Sequence, residues 1–307
     1  MRTILNRAKK VLVAGSVLGC AIALSTTAFA QQPVDWQLSL QDSATPVMDE
    51  IRWLNYFTLA IITIITLFVL GLLVYCFMKF NAGKNPTPSK VTHNTTIEVV
   101  WTVVPILILM VIVAPSLRLL YKQETLPEPD VTVKVVAYQW YWGYAYPDLE
   151  IDEYISTILH DKEDPEAALQ LRQEKASERG ESIDNYPRLL AVDNELVVPV
   201  GAVVQLDMTS ADVLHAIAVP SFGIKMDAVP GRLNSLWFKA EKEGLYYGQC
   251  SQICGTDHAF MPIAVRVVDE ETFKNWAASA AEDLDLGWEI LAADIRRDTK
   301  STQLANN

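Results

Sequence analysis

Basic residues are scarce where this chain is most polar. Its 307 residues include 37 acids and 25 bases, a formal net charge of −12. From Lys122 to Asn307 the imbalance sharpens to 32 acidic against 16 basic residues. Such a surface repels phosphate backbones and anionic lipid headgroups, which argues against nucleic acid as a partner. It attracts a basic protein in a salt-dependent way. Solubility alone explains the same excess in most acidic domains, so charge supports a basic partner without naming one. Cysteine is rarer still, at four. Only Cys250 and Cys254 lie close together in sequence, so no framework of several disulfides organises the fold. Acid is missing from the first thirty residues, and charge is nearly missing from two long apolar runs. These two absences define the organisation of the chain.

Residues 1–30 read as a secretory signal. Arg2, Arg7, Lys9 and Lys10 lead, an apolar run from Val11 to Leu24 follows, and Ala28 to Ala30 ("AFA") forms a small-x-small cleavage site. The mature chain then begins at Gln31, and losing four bases takes its charge to −16. A lipoprotein-type box, "VLGC" ending at Cys20, ranks second because the apolar run continues past it. After an exported segment, 31–54, residues 55–80 form a first run long enough to cross ~30 Å of hydrocarbon as a helix. Residues 97–121 form a second, whose Pro105 and Pro115 are tolerated in membrane helices. Lys79, Lys84 and Lys90 lie around the connecting loop, 81–96, with no acid among them, so the loop is expected in the cytoplasm. Everything after Tyr121 then lies on the exported side. Glu98 opens the second run, and its residue type alone favours a side chain reaching the headgroup region. Cys76 and His93 read as incidental.

From residue 122 to 270 the texture is that of strands. "VTVKVVAYQWYWGYAYP", "LVVPVGAVVQLDMTS", "LHAIAVP", "SLWFKA", "GLYYGQC" and "MPIAVRVVD" are short β-branched and aromatic runs punctuated by Gly and Pro. The expected fold is a membrane-anchored two-helix hairpin carrying an all-β, antiparallel sandwich or barrel. The highly charged stretch at about 151–186 reads as a surface insertion with one short helix. Residues 271–307 read as a C-terminal helix, N-capped by Asp269, with a disordered tail.

One loop carries chemistry. "GQCSQICGTDHAFMP", Gly248 to Pro262, holds Cys250, Cys254, His258 and Met261. A disulfide is the bland reading in an oxidising compartment, and spacing by itself gives it an even chance. Three features weigh against it: a plain bridge needs neither His258 nor Met261, glycines and a proline make the segment a loop, and "SADVLHAIAVP" supplies His215 from elsewhere. The same glycines and proline weaken a helix face through 250, 254 and 258. Structural zinc rarely recruits a thioether. Two thiolates, two imidazoles and a thioether form a soft set that suits copper. A single blue-copper ion needs one cysteine, so the second thiolate points to a bridged pair of coppers and an electron carrier.

Together, "GQCSQICGTDHAFMP", "DVLHAIAVP", "AVPGR" and "QWYWGYAYP" resemble subunit II of haem-copper cytochrome c oxidase, over nearly the whole mature chain. The resemblance implies a cupredoxin-like domain with a dinuclear copper (CuA) centre. Cys250 and Cys254 would bridge two copper ions, His215 and Met261 would complete one, and His258 with the backbone carbonyl of Gln252 the other. Most relatives carry glutamate at this last position, where its carboxylate helps bind magnesium or manganese against subunit I. Gln252 offers only a neutral amide, which puts that site in doubt. The resemblance further implies electron entry at Trp140, docking of cytochrome c on acids that include Asp193 and Asp212, and a proton-path mouth at Glu98. Ala145 replaces an acid of many relatives. The implied whole is a proton-pumping oxidase of a bacterial inner membrane, with subunit I and subunit III as partners and this domain in the periplasm. Three rivals fit less well. A copper-less quinol oxidase subunit II lacks these ligands. A thioredoxin-like copper chaperone places its cysteines early on a βαβ scaffold. A disulfide-bearing adhesin-like domain leaves the hairpin and Met261 unexplained.

Overall fold

The computed structural model describes residues 31–160 and 164–305. The signal at 1–30 and its Cys20 alternative lie outside the described residues.

Two helices long and apolar enough to cross a membrane come first, α1 (Pro46–Lys79) and α2 (Thr95–Glu124). Their apolar stretches are exposed, as surfaces meant for lipid or for other membrane subunits are. Helix α1 starts at Pro46, ahead of the expected position 55, because Thr45 caps it. The Thr45 hydroxyl accepts the N–H of Met48 at 3.1 Å and donates to the Phe222 carbonyl at 2.7 Å. The cap therefore fastens the hairpin to the β-domain. An ion pair of 2.7 Å between Lys122 and Glu50 ties α2 to α1 at the same end.

Ten strands follow among the described residues. A five-stranded sheet has the order β3-β2-β1-β5-β8 and a three-stranded sheet the order β4-β10-β9. These strands are β1 (Val131–Tyr138), β2 (Tyr141–Tyr146), β3 (Ile151–Ser156), β4 (Leu196–Pro199), β5 (Val203–Ser210), β8 (Asn234–Lys239), β9 (Gly244–Gln249) and β10 (Pro262–Val268). Two more, β6 (His215–Val219) and β7 (Ile224–Ala228), form a hairpin. Alternation builds the sandwich. Val133, Val135 and Ala137 of β1 and Val204, Leu206 and Met208 of β5 are all fully buried, alternating with Lys134, Gln205 and Asp207, while Val136 of β1 is buried as well. The parallel β1–β5 and β10–β4 pairs make this a mixed sandwich, where the turn-rich sequence pointed to an antiparallel one.

The charged stretch departs from expectation at its start. Residues 151–156 are a strand of the main sheet, burying Ile151, Tyr154 and Ser156 while Asp152 and Glu153 face out. The true excursion begins at Thr157 and carries α3 (Pro165–Arg179). It docks through a buried charge cluster. Arg266 of β10 makes 2.9 Å contacts with both Glu181 and Glu195, and the fully buried Arg179 lies 3.6 Å from Glu195. The C-terminal region holds two helices, α4 (Glu270–Glu282) and α5 (Leu284–Ala305), where one was expected. Asp283 separates them by accepting the N–H of Asp285 at 2.9 Å and so starting a new helix. Helix α5 runs through much of the tail that composition marked as disordered. Its Trp288 and Leu291 are buried, so packing holds its early turns.

Candidate metal centre

The segment from Cys250 to Met261 joins β9 to β10. The Cys250 N–H donates to the Met261 carbonyl at 3.0 Å, closing the loop at its base, and the Ser251 N–H reaches the Ala216 carbonyl of β6 at 2.9 Å. Gly248 permits this approach. A Cβ there would lie 2.0 Å from the Ala218 carbonyl oxygen, so any side chain would push β9 off β6. His215, at the start of β6, is thereby brought under the loop.

The Cys250 and Cys254 sulfurs are 3.8 Å apart and unbonded, far beyond the ~2.05 Å of a disulfide. The bridge that spacing left open is absent from this structure. Each sulfur has its own imidazole: His215 Nδ1 is 3.9 Å from Cys250 Sγ, and His258 Nδ1 is 3.5 Å from Cys254 Sγ. The Gln252 carbonyl oxygen lies 3.3 Å from Cys250 Sγ. Donor atoms of His215, Cys250 and Cys254 all fall within 4.8 Å of one another. Met261 is fully buried in the same apolar cluster as both cysteines. Burial, and then the adjacent Cys250 thiol, pushes Cys254 up to about 12. The Cys254 thiol in this setting keeps its proton unless a cation takes its place. The chemistry of the donor set fits soft metal ions.

Groups that sequence reading missed hold the ligands in place. Asp212 Oδ1 is 2.8 Å from His215 Nε2, so the carboxylate fixes the imidazole with Nδ1 toward the sulfur. Asp212 also accepts the N–H groups of Gln139 at 2.6 Å and Val213 at 2.6 Å. Burial opposes its ionisation, but these hydrogen bonds outweigh it and hold the carboxyl below its ordinary value. The buried Trp142 ring meets His215 edge-on at 6.2 Å. Only the D-x-x-H spacing of Asp212 and His215 hinted at any of this.

Trp140 occupies the two-residue turn of the β1–β2 hairpin, between Tyr138 and Tyr141, whose rings stack at 4.8 Å. It is half-buried, and its indole N–H donates to the Cys254 carbonyl at 3.3 Å, beside a 2.8 Å bond from Gln139 Nε2 to the same oxygen. Gly255, at φ +122°, leaves room for the ring, which a Cβ would meet at 3.0 Å. Glu98 lies elsewhere. It sits in the first turn of α2, the end remote from the β-domain, and accepts the N–H of the capping residue Asn94 at 3.2 Å. Asp193 accepts from the Thr157 N–H at 2.7 Å and hydroxyl at 2.6 Å. Both expected docking acids, Asp193 and Asp212, thus have intramolecular partners, a use of their oxygens that composition does not reveal.

A soft-donor cluster in a mixed β-sandwich on a two-helix membrane hairpin defines a membrane-anchored, cupredoxin-like protein whose His/Cys cluster could hold a metal ion. The family model described as cytochrome C oxidase subunit II, periplasmic domain, matches residues 131–268, and that of its transmembrane domain matches residues 33–119. Cytochrome c oxidase subunit 2 of Cereibacter sphaeroides is 45% identical over 281 residues, 87% of this chain and 90% of that protein. The Arabidopsis thaliana subunit 2 is 42% identical, across 84% of this chain and 96% of its own length. A solved periplasmic domain of subunit II of cytochrome oxidase from Bradyrhizobium japonicum is 46% identical, covering 52% of this chain and 98% of that one, with a TM-score of 0.42. The chain belongs to the cytochrome c oxidase subunit II family, and so to a haem-copper terminal oxidase.

Proposed function

We propose that this subunit accepts electrons from a cytochrome c at a dinuclear copper centre and hands them to the haem-copper subunit I, where oxygen is reduced to water and protons are pumped. The observation that carries the reading is the pairing of donors: two unbonded sulfurs 3.8 Å apart, each with its own imidazole at 3.9 Å and 3.5 Å. Met261, buried in the same cluster, adds a thioether that structural zinc rarely recruits. Cys250 and Cys254 would be shared, His215 and Met261 would serve one ion, and His258 with the Gln252 carbonyl the other. When bound, such a pair supplies a one-electron couple spread over two ions, with little change in bonding between states.

The chain's own residues do the rest. The buried cysteines and Met261 keep water from the donors, and Asp212 holds His215 in one tautomer. Trp140 links the surface to the ligand loop through its hydrogen bond to the Cys254 carbonyl. The acidic exported face, which includes Asp193 and Asp212, steers a basic cytochrome c toward that ring. Glu98, at the far end of α2, is placed for a proton-uptake path shared with subunit I, and its bond to Asn94 N–H orients it. Subunit III is a further partner, the membrane is a bacterial inner membrane, and the β-domain faces the periplasm. Gln252 weakens any magnesium or manganese site by removing a charge.

Copper analysis with EPR of the purified chain tests the reading. The expected result is two copper ions per chain and one unpaired electron coupled equally to both nuclei. A folded chain that binds one copper, or only zinc, overturns it.

A further inference from the structure

The ligand loop has an outer face that the metal reading does not account for. His258 lies in a short 3-10 turn, His258–Phe260, between Cys254 and Met261. The Phe260 N–H reaches the Asp257 carbonyl at 2.8 Å, while the bonds from His258 N–H to Gly255 and from Gln249 Nε2 to Ala259 are both 3.3 Å. Ala259 is exposed and His258 and Phe260 are half-buried, whereas His215, Cys250, Cys254 and Met261 are buried.

Against that turn stands a residue from another part of the chain. The His160 ring stacks on Phe260 with centroids 5.3 Å apart and planes 14° from parallel. His160 is itself well anchored. Just before it, Asp193 ties down Thr157 through two hydrogen bonds, Ile158 bridges Val192, and the Leu159 N–H donates to the Ala191 carbonyl at 2.8 Å. Ala191 and Val192 are buried with Tyr247 of β9 and Ala264 of β10 in a second apolar cluster. The excursion that begins at Thr157 is thus rooted in the two strands that frame the ligand loop, and its first corner reaches back over the loop's outer turn.

We propose that His160 is a positioning residue for the metal centre: its ring clamps Phe260, and so holds His258 beside Cys254. It touches no ligand itself and acts through the turn. The face-to-face geometry makes a flat ring the requirement, so phenylalanine would serve where alanine would not. A stack of this kind shifts a local opening equilibrium by roughly threefold to tenfold.

The inference rests on the copper reading for its consequence, but the clamp can be measured without metal. Two measurements on the full-length chain, as wild type, His160→Ala and His160→Phe, separate them. In metal-free chain, amide exchange at 258–260 should rise roughly threefold to tenfold in His160→Ala and stay near wild type in His160→Phe. In copper-loaded chain, removal of copper by a chelator should quicken by a similar factor in the alanine variant only, with an altered EPR spectrum from a loosened His258. Unchanged exchange and chelation in His160→Ala overturn the proposal, as does His160→Phe behaving like His160→Ala. A wild-type chain that takes up no copper, yet shows the exchange pattern, refutes the copper reading and leaves the clamp standing.

Discussion

Asp212 and His215 are joined by a 2.8 Å contact between Oδ1 and Nε2, and this leaves the other imidazole nitrogen facing the Cys250 sulfur. Replacing Asp212 with Asn keeps the shape but exchanges a full negative charge for an amide that can present either oxygen or nitrogen. Copper affinity of the purified chain should fall by roughly 10- to 100-fold, the usual cost of losing a carboxylate behind a metal-bound histidine. Unchanged copper retention in a competition assay would show that Asp212 serves the Gln139 and Val213 amides instead.

Cys250→Ser should abolish the centre and leave the sandwich intact. The residue follows the end of β9 and opens the loop, and the substitution removes one buried sulfur without disturbing the β9–β10 register. The expected outcome is loss of the two-copper EPR signal with an unchanged far-ultraviolet circular dichroism spectrum. A retained signal sinks the bridging role.

Gln252→Glu separates backbone from side chain. The carbonyl 3.3 Å from Cys250 Sγ stays where it is, so the copper spectrum should barely move. The added carboxylate should raise affinity for a divalent ion in the assembled oxidase, measurable as manganese EPR. A collapsed copper spectrum refutes the carbonyl role.

Trp140→Ala should slow electron entry from reduced cytochrome c several-fold without loss of copper. The Cys254 carbonyl keeps its 2.8 Å bond from Gln139 Nε2, so the ligand loop retains an anchor when the indole is gone. Stopped-flow reduction kinetics check the first half of this expectation, and copper content the second. Transfer at the wild-type rate counts against entry at Trp140.

Glu195 makes the β-domain acid-sensitive. Burial opposes its ionisation, but the charges of Arg266 and Arg179 outweigh burial and hold it at about 2 instead of 4.5. A depressed folded-state value means that this stabilisation is complete above about pH 4.5 and is lost as pH falls toward 2. Glu195→Gln should cost about 3–5 kcal/mol at neutral pH, because two buried guanidinium groups lose their shared partner. The variant should also unfold with a flatter dependence on pH between 4.5 and 2, read by denaturant titration. An unfolding midpoint equal to wild type would show that Glu181 alone neutralises the cluster.

Much of the fold was legible because local pattern and tertiary demand agree. Period-two alternation in β1 and β5 marks the faces that the sandwich buries, and unbroken apolar runs mark α1 and α2. The pattern failed where a local signal was outvoted. The acids of "IDEYIS" look like surface loop, yet Ile151 and Tyr154 are buried on the opposite face of β3. The run after Asp269 reads as one helix, yet Asp283 accepts the N–H of Asp285 and divides it in two. Helix α1 begins at Pro46 because Thr45 bonds to Phe222, far away in sequence.

The same division runs through the centre. By itself the sequence determined the ligand types, the soft chemistry they favour and the two-span anchor, because these depend on residue identity and short spacing. Only the tertiary structure decided that the cysteines stand 3.8 Å apart without a bond, since the loop's closure on Met261 and Gly248's contact with β6 set that distance. It also turned Asp212 inward to His215 and laid His160 over Phe260. His160 and Phe260 lie 100 positions apart, and chain order carries no measure of which side chains a sandwich brings face to face.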